Sequence, residues 1–171
     1  VSYSIFKVLK EEFDCDLNIF KFFAGHSLGE YSALVCSESL IFNDALYLLH
    51  ERGKAMQEAV PAGKGAMIAV LGLKTNEIQN LIENRENKKG ICEIANDNAD
   101  GQVIVSGDKE NITDFHNKLK EKNIKTIPLK VSAPFHCSLM KPAAEIMKKK
   151  INLTKLNSIS HQIVSNVTAN P

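Results

Sequence analysis

The order of predicted helices and strands in the middle of the chain constrains its fold more than any other feature of the sequence. Between Gly65 and Leu129, apolar runs and helical spacing predict six elements in the order strand, helix, strand, strand, helix, strand. These elements span residues 66–71, 75–84, 91–95, 103–106, 109–121 and 125–129. Because βαββαβ is the order of the split-βαβ unit, we expect a small ferredoxin-like domain here.

The segments on both sides of this unit predict a larger α/β domain. An apolar block at 20–24 predicts a buried strand, residues 31–36 and 43–59 predict helices, and QIVSNV near the C-terminus is strand-like. Asn43 is the expected N-cap of the second helix. We therefore expect an α/β fold with a large domain built from residues 1–60 and 131–171, and a small domain at 61–130. Because the chain opens on Val1 and enters a predicted helix at once, we also expect a fragment of a longer protein.

The composition is that of an ordinary globular protein and indicates no polyanionic or lipid partner. Of the 171 residues, 44% are apolar and 24% are charged, which suffices for a sizeable core. The 21 basic and 20 acidic residues leave a net charge of +1, so we expect neither nucleic-acid nor membrane binding. No stretch approaches the ~20 apolar residues of a membrane span, and no signal-peptide pattern opens the chain. We expect a cytoplasmic protein.

The cysteines give no sign of a metal site or of a disulfide framework. Cys15, Cys36, Cys92 and Cys137 lie far apart, without a CxxC pair or a histidine at ligand spacing. This pattern favours a reducing compartment and no bound metal.

Residues 25–29, GHSLG, fit the pattern G-x-S-x-G between a predicted strand and a predicted helix. A serine on so sharp a turn is held out from the backbone, and the amides that follow point toward a developing oxyanion. We expect Gly25 and Gly29 to permit the tight packing of this turn. Ser27 is therefore a candidate nucleophile, with a surface serine in a glycine-rich loop as the alternative.

A serine hydroxyl is a weak nucleophile, so a general base must lie within hydrogen-bond reach. Of the five histidines, His136 stands apart because it lies in the irregular segment VSAPFHCSLMKPA. Pro134 interrupts a strand there, and Pro142 restricts a helix start. Loops at strand ends often carry catalytic groups. On spacing alone, however, a half-buried structural histidine is slightly the better explanation.

Four segments decide between these alternatives because they occur together and in order: GHSLGEYSALVCS, ERGKAMQEAVP, NADGQVIVSG and VSAPFHCSLMKPA. Together they resemble the bacterial-type malonyl-CoA:acyl carrier protein transacylases, and the match runs through essentially the whole chain. The resemblance implies an α/β-hydrolase-like large domain that carries an inserted ferredoxin-like domain. It also implies that Ser27 is the acylated nucleophile and that His136 is its base.

The resemblance further assigns the substrate-binding groups. It places on Arg52 the guanidinium that holds the free carboxylate of the malonyl group through two charge-assisted hydrogen bonds. Asn96 and Asn98, in the predicted turn NDNADGQ, become polar groups of the pocket. Leu28 supplies an amide to the oxyanion, and Met67 lines the acyl pocket. The second oxyanion amide and the carbonyl that orients the histidine are expected outside residues 1–171.

The implied reaction transfers a malonyl group from malonyl-CoA to the phosphopantetheine thiol of acyl carrier protein, through a malonyl-serine ester. The enzyme would need no bound cofactor and would act as a monomer. Because acyl carrier proteins are acidic, a basic surface should receive them, and four lysines of the small domain are candidates: Lys118, Lys120, Lys122 and Lys125.

Three alternatives stay open at this point. An acyltransferase domain of a polyketide or fatty acid synthase shares these motifs and this chemistry. A serine hydrolase would place an acid between Ser27 and His136, where Asp108 and Asp114 are available. A chain that only binds carrier protein, without catalysis, is the third.

Overall fold

The computed structural model describes residues 1–158 and 161–171, which form two compact units. The first unit comprises Val1–Glu51 and Lys148–Pro171, and the second comprises Arg52–Met147. Helices α3 (Phe42–Glu58) and α6 (Lys141–Leu153) have residues in both. The mixture of helices and sheets confirms the expected α/β class.

The first unit contains a pair of short parallel strands together with helices. Its other elements are α1 (Ser2–Glu11), a 3-10 turn (Leu17–Ile19), β1 (Phe22–Phe23), α2 (Gly29–Cys36) and β6 (Gln162–Ile163). Strands β1 and β6 pair in parallel, and the Val164 N–H extends the pairing to the Phe23 carbonyl at 2.9 Å. Since parallel strands end at the same edge of a sheet, the loops that follow β1 and β6 lie together.

The second unit contains the predicted ferredoxin-like arrangement. Its elements in chain order are β2 (Gly65–Leu71), α4 (Thr75–Glu83), β3 (Cys92–Ala99), β4 (Gln102–Asp108), α5 (Lys109–Glu121) and β5 (Lys125–Pro128). The strands form an antiparallel sheet in the order β3-β4-β2-β5. The first strand of the unit thus lies between the third and the fourth, as the split-βαβ topology requires.

The two faces of this sheet bury different sets of residues, because successive side chains on a strand point to opposite faces. On one face the sheet packs against α4 and α5. The buried cluster there consists of Ile68, Val70, Ile78, Ile82, Cys92, Val103, Val105, Ile112, Phe115 and Leu119. On the other face, Met67, Ala69 and Ile104 form a smaller cluster, against which Leu129 and Phe135 pack. The segment that carries His136 therefore lies on the face opposite the helices.

Strand β1 covers only Phe22–Phe23, and Phe22 is 50% exposed, so the block at 20–24 does not form the buried strand that we expected.

Two further expectations about the ends of elements were wrong. Helix α3 begins at Phe42, so Asn43 lies in its first turn and is not the N-cap. Strand β3 continues to Ala99, so Asn96 and Asn98 belong to a strand and not to the predicted turn. Because β3 is an edge strand, it tolerates the polar sequence NDN and the register shifts that accompany it.

Candidate active site

Ser27 lies on the turn between β1 and α2 with its backbone in the left-handed region, at φ +53°. This conformation is unfavourable for a residue with a side chain, so the surrounding packing must hold it. A Cβ atom on Gly25 would lie 2.0 Å from the Gly29 carbonyl oxygen, so only glycine allows this approach. A Cβ on Gly29 would meet nothing within 4 Å. The packing requirement that we expected of both glycines therefore falls on Gly25 alone.

The amide that follows the serine is available for a ligand. Leu28 is the N-cap of α2, and its side chain is largely exposed. Its N–H donates no hydrogen bond within the described part of the chain, whereas the amides of Gly29 and Glu30 bond to the carbonyls of His26 and Ser27. The N-terminus of a helix carries partial positive charge, so this N–H suits an oxyanion.

Asn166 holds the turn of Ser27 from the loop after β6, and sequence reasoning missed it. Its Oδ1 accepts a hydrogen bond from the Ser27 N–H at 2.9 Å. Its Nδ2 donates to the Gly25 carbonyl at 2.7 Å and to Glu30 Oε2 at 2.9 Å. One side chain thus bonds to residues on both sides of the turn. The only signal in the sequence is an asparagine after a strand-like segment, which is ordinary turn chemistry.

His136 lies in the second unit, in the segment between β5 and α6, and also has a left-handed backbone, at φ +60°. Pro134 precedes it and is fully buried. A Cβ on Gly65 would lie 2.3 Å from the Cδ and Cγ atoms of that proline ring, so the segment packs directly on strand β2. His136 is half-buried.

Cys137, next to His136, is not a competing nucleophile at neutral pH. Its side chain is buried, and its Sγ donates to the Pro134 carbonyl at 3.2 Å. Burial raises the pKa of the Cys137 thiol, so the thiol stays protonated.

The other predicted substrate-binding residues lie in the second unit with His136. Arg52 is half-buried on α3, and Asn98 is exposed where the β3 register shifts a second time. Asn96 pairs with Ile104, and Ile104 with Ala69, so Asn96 is on the face that carries the His136 segment. Met67, 5% exposed, is in the cluster against which Phe135 packs. Met67, Asn96 and the His136 segment therefore lie on the same face of the sheet.

Ser27 and Leu28 belong to the first unit.

Residues 1–158 and 161–171, which the structure describes, hold neither a metal-binding cluster nor a membrane-spanning helix. They contain no group of three or more histidine, cysteine or acidic residues arranged to hold a metal ion. No helix there has the length and apolar character that a membrane span requires. All four cysteines carry free thiols.

Comparison with known proteins gives a consistent family. A family profile described as an acyl transferase domain matches residues 21–171. The malonyl CoA-acyl carrier protein transacylase of Bacillus subtilis is 42% identical over 149 residues, which cover 86% of this chain and 47% of that protein. The enzyme of the same name from Haemophilus influenzae is 42% identical over 97% of this chain and 53% of its own length. The chain spans about half the length of the curated relatives it matches.

Solved structures of the same class share the fold. An acyl-carrier-protein-S-malonyltransferase from Bartonella henselae superposes with a TM-score of 0.93 at 36% identity, over 100% of this chain and 55% of that one. A malonyl-transacylase in complex with a type II polyketide acyl carrier protein gives 0.91 at 37% identity, over 98% and 53%.

Proposed function

Because the chain belongs to the acyl transferase domain family, we propose that it carries the nucleophile and the base of a malonyl-CoA:acyl carrier protein transacylase. The observation that carries the proposal is the turn of Ser27. Its left-handed backbone holds the hydroxyl on a strand-to-helix turn, directly before the unengaged Leu28 amide. This arrangement suits attack on an acyl carbonyl and stabilisation of the oxyanion that forms.

In the first half-reaction, Ser27 Oγ attacks the thioester carbonyl of malonyl-CoA while His136 accepts the hydroxyl proton. The tetrahedral oxyanion accepts a hydrogen bond from the Leu28 N–H. When the intermediate collapses, the carbon–sulfur bond breaks, and coenzyme A leaves as a thiol with the proton from His136. A malonyl-serine ester remains.

In the second half-reaction, the phosphopantetheine thiol of acyl carrier protein attacks this ester, and His136 accepts the thiol proton. The carbon–oxygen bond breaks, and the proton returns to Ser27 Oγ as malonyl carrier protein leaves. This sequence is ping-pong chemistry, and no step in it calls for a resident cofactor.

Arg52 is the proposed selector for the malonyl group. A guanidinium stays charged and can donate two parallel N–H hydrogen bonds to a carboxylate, whereas an acetyl group has no carboxylate to accept them. Met67 and Asn96 are the other proposed residues of the acyl pocket, because they share a sheet face with the His136 segment. Asn98 would contribute from the end of the same strand.

A basic surface on the small domain is the proposed contact for acyl carrier protein. Lys120, Lys122 and Lys125 are exposed, whereas Lys118 is paired with Glu86 and Asp114. The related transacylase in complex with an acyl carrier protein supports the choice of carrier protein as the partner. We propose the domain limits 61–130 for this region, and the free thiols of the chain suit a cytoplasmic location.

The decisive experiment is intact-mass measurement after incubation of the complete protein with malonyl-CoA or with acetyl-CoA. We expect a malonyl adduct that is lost in Ser27→Ala, reduced in Arg52→Ala and discharged by added carrier protein. Arg52→Ala should also reduce the preference for malonyl over acetyl. An adduct that water clears as fast as carrier protein does would identify a hydrolase, and no adduct at all would refute the proposal.

A further inference from the structure

The backbone at His136 is held between two anchors on the sheet of the second unit. Before it, Pro134 packs on Gly65 of β2. After it, Ser138 is bound by Glu93 of β3. Only three residues, 135–137, lie between the anchors, and His136 among them has a left-handed backbone. Such a conformation persists only where the surroundings determine it.

Glu93 binds Ser138 with both oxygens of its carboxylate. Its Oε2 accepts the Ser138 N–H at 2.7 Å, and its Oε1 accepts the Ser138 hydroxyl at 2.7 Å. Both bonds are partly buried, and they join residues 45 positions apart. Bonds to an ionised acceptor are shorter and stronger than bonds between neutral groups, and two at once also fix the orientation.

The sheet register explains why Glu93 reaches this segment. Glu93 pairs with Ser106, and Ser106 pairs with Met67 on the next strand. Paired residues share a face of the sheet, so Glu93 points to the face on which Phe135 packs.

Ser138 is also the point where the chain enters a helix. It begins a 3-10 turn, Ser138–Met140, which continues into α6. The N–H groups at the start of a helix lack partners within it. Cys137 is the N-cap residue of this turn, and its side chain makes no capping hydrogen bond. Glu93 supplies the acceptor from another strand. It therefore determines where the backbone leaves His136 and enters the turn.

We propose that Glu93 is a positioning residue for His136: through Ser138 it holds the imidazole in the orientation that the base requires. The inference rests on the proposed function of His136 and assigns to Glu93 no contact with substrate. Neither the sequence pattern nor the family comparison assigned a role to Glu93.

The test compares Glu93→Ala with Glu77→Ala in the complete protein. Glu77 is a matched control because its Oε2 accepts the Lys74 N–H at 2.8 Å, at the start of α4 and away from His136. The first readout is the NMR pH titration of the His136 imidazole, identified by its absence from His136→Asn. The second is the rate of malonyl adduct formation. We expect Glu93→Ala to shift the His136 titration and to slow acylation by about 10- to 100-fold, as misplaced catalytic groups do. Glu77→Ala should leave both unchanged.

Two milder variants decide the matter if Glu93→Ala does not fold. Glu93→Gln keeps one acceptor oxygen, and Ser138→Ala keeps the bond from the backbone N–H, so each should give a smaller effect in the same direction. Where Glu93→Ala folds, Ser138→Ala should add little to it, because both changes act on one pair.

A His136 titration and an acylation rate equal to those of the unaltered protein, in folded Glu93 variants, would reduce Glu93 to a structural residue. The titration requires no malonyl transfer. If the unaltered protein forms no adduct, the proposed function fails, while the imidazole titration still decides whether Glu93 positions His136.

Discussion

The amide side chain of Asn166 accepts a hydrogen bond from the backbone N–H of Ser27 at 2.9 Å, although 139 positions separate the two residues. The same side chain donates to Gly25 and Glu30, on either side of the serine. The strained turn of Ser27 is therefore held by a residue from the far end of the chain.

Asn166→Ala removes these three hydrogen bonds and should slow the formation of the Ser27 adduct by about tenfold or more, because the turn that carries the hydroxyl is no longer held in place. We expect the free energy of unfolding to fall by about 1 kcal/mol for each bond lost, less any compensation by water. Adduct mass against time and urea unfolding measure the two effects. Asn170→Ala is the control, because Asn170 lies in the same loop and its Nδ2 donates to the nearby Thr168 carbonyl. Equal acylation rates in both variants would contradict the role of Asn166.

Gly25→Ala should destabilise the protein, whereas Gly29→Ala should not. The new Cβ at residue 25 would collide with backbone atoms of Gly29 and Glu30, which cannot turn aside. Overpacking of this kind costs about 1–3 kcal/mol or more. At Gly29 the Cβ has open space, and alanine favours a helix over glycine. Urea unfolding of the two variants checks the contrast, and an equal change of stability in both would contradict the specific clash at residue 25.

Lys120→Glu combined with Lys122→Glu should slow the discharge of the malonyl adduct by carrier protein without changing how fast malonyl-CoA forms it. Surface charges act mainly on the rate of encounter with an oppositely charged partner, so the defect should be largest at low salt. Lys148→Glu with Lys149→Glu reverses two exposed lysines of α6 and is the control. Discharge rates that fall equally in both double variants would assign the effect to net charge alone.

Cys92 should make the protein less stable at alkaline pH. Burial raises the pKa of its thiol to about 11 in the folded state, from 9.0. As pH rises above 9, the thiol ionises first in the unfolded chain. The contribution of the buried thiol to stability is therefore complete below pH 9 and is lost progressively between pH 9 and about pH 11. The difference between the pKa values of the folded and unfolded states corresponds to at most about 3 kcal/mol in the free energy of unfolding.

Urea unfolding is measured at pH 8 and pH 10.5 for the unaltered protein and for Cys92→Ala. The comparison separates the effect of Cys92 ionisation from that of the lysines and tyrosines, which also titrate at alkaline pH. The stability advantage of the unaltered protein over Cys92→Ala should shrink at the higher pH. A constant difference would mean that the folded thiol ionises as freely as the unfolded one.

Most elements of the fold could be predicted because their signals are local. Helix α5 was expected over the residues where it lies, and the strand order of the small domain follows from the succession of elements. Element ends were less predictable. An asparagine at the start of α3 favours a cap, yet the helix begins one residue earlier. The polar sequence at Asn96 favours a turn, but pairing of β3 with β4 outweighed that preference.

The sequence by itself determined the strand, turn and helix around Ser27, and the irregular segment around His136, because periodicity and turn chemistry act between near neighbours. Only the tertiary structure decided which groups hold these two residues. Asn166 reaches Ser27 because β1 and β6 pair in parallel, and Glu93 reaches Ser138 because the register of β3 on β4 turns its side chain to that face. Both contacts depend on pairing between distant segments, which no local pattern of residues encodes.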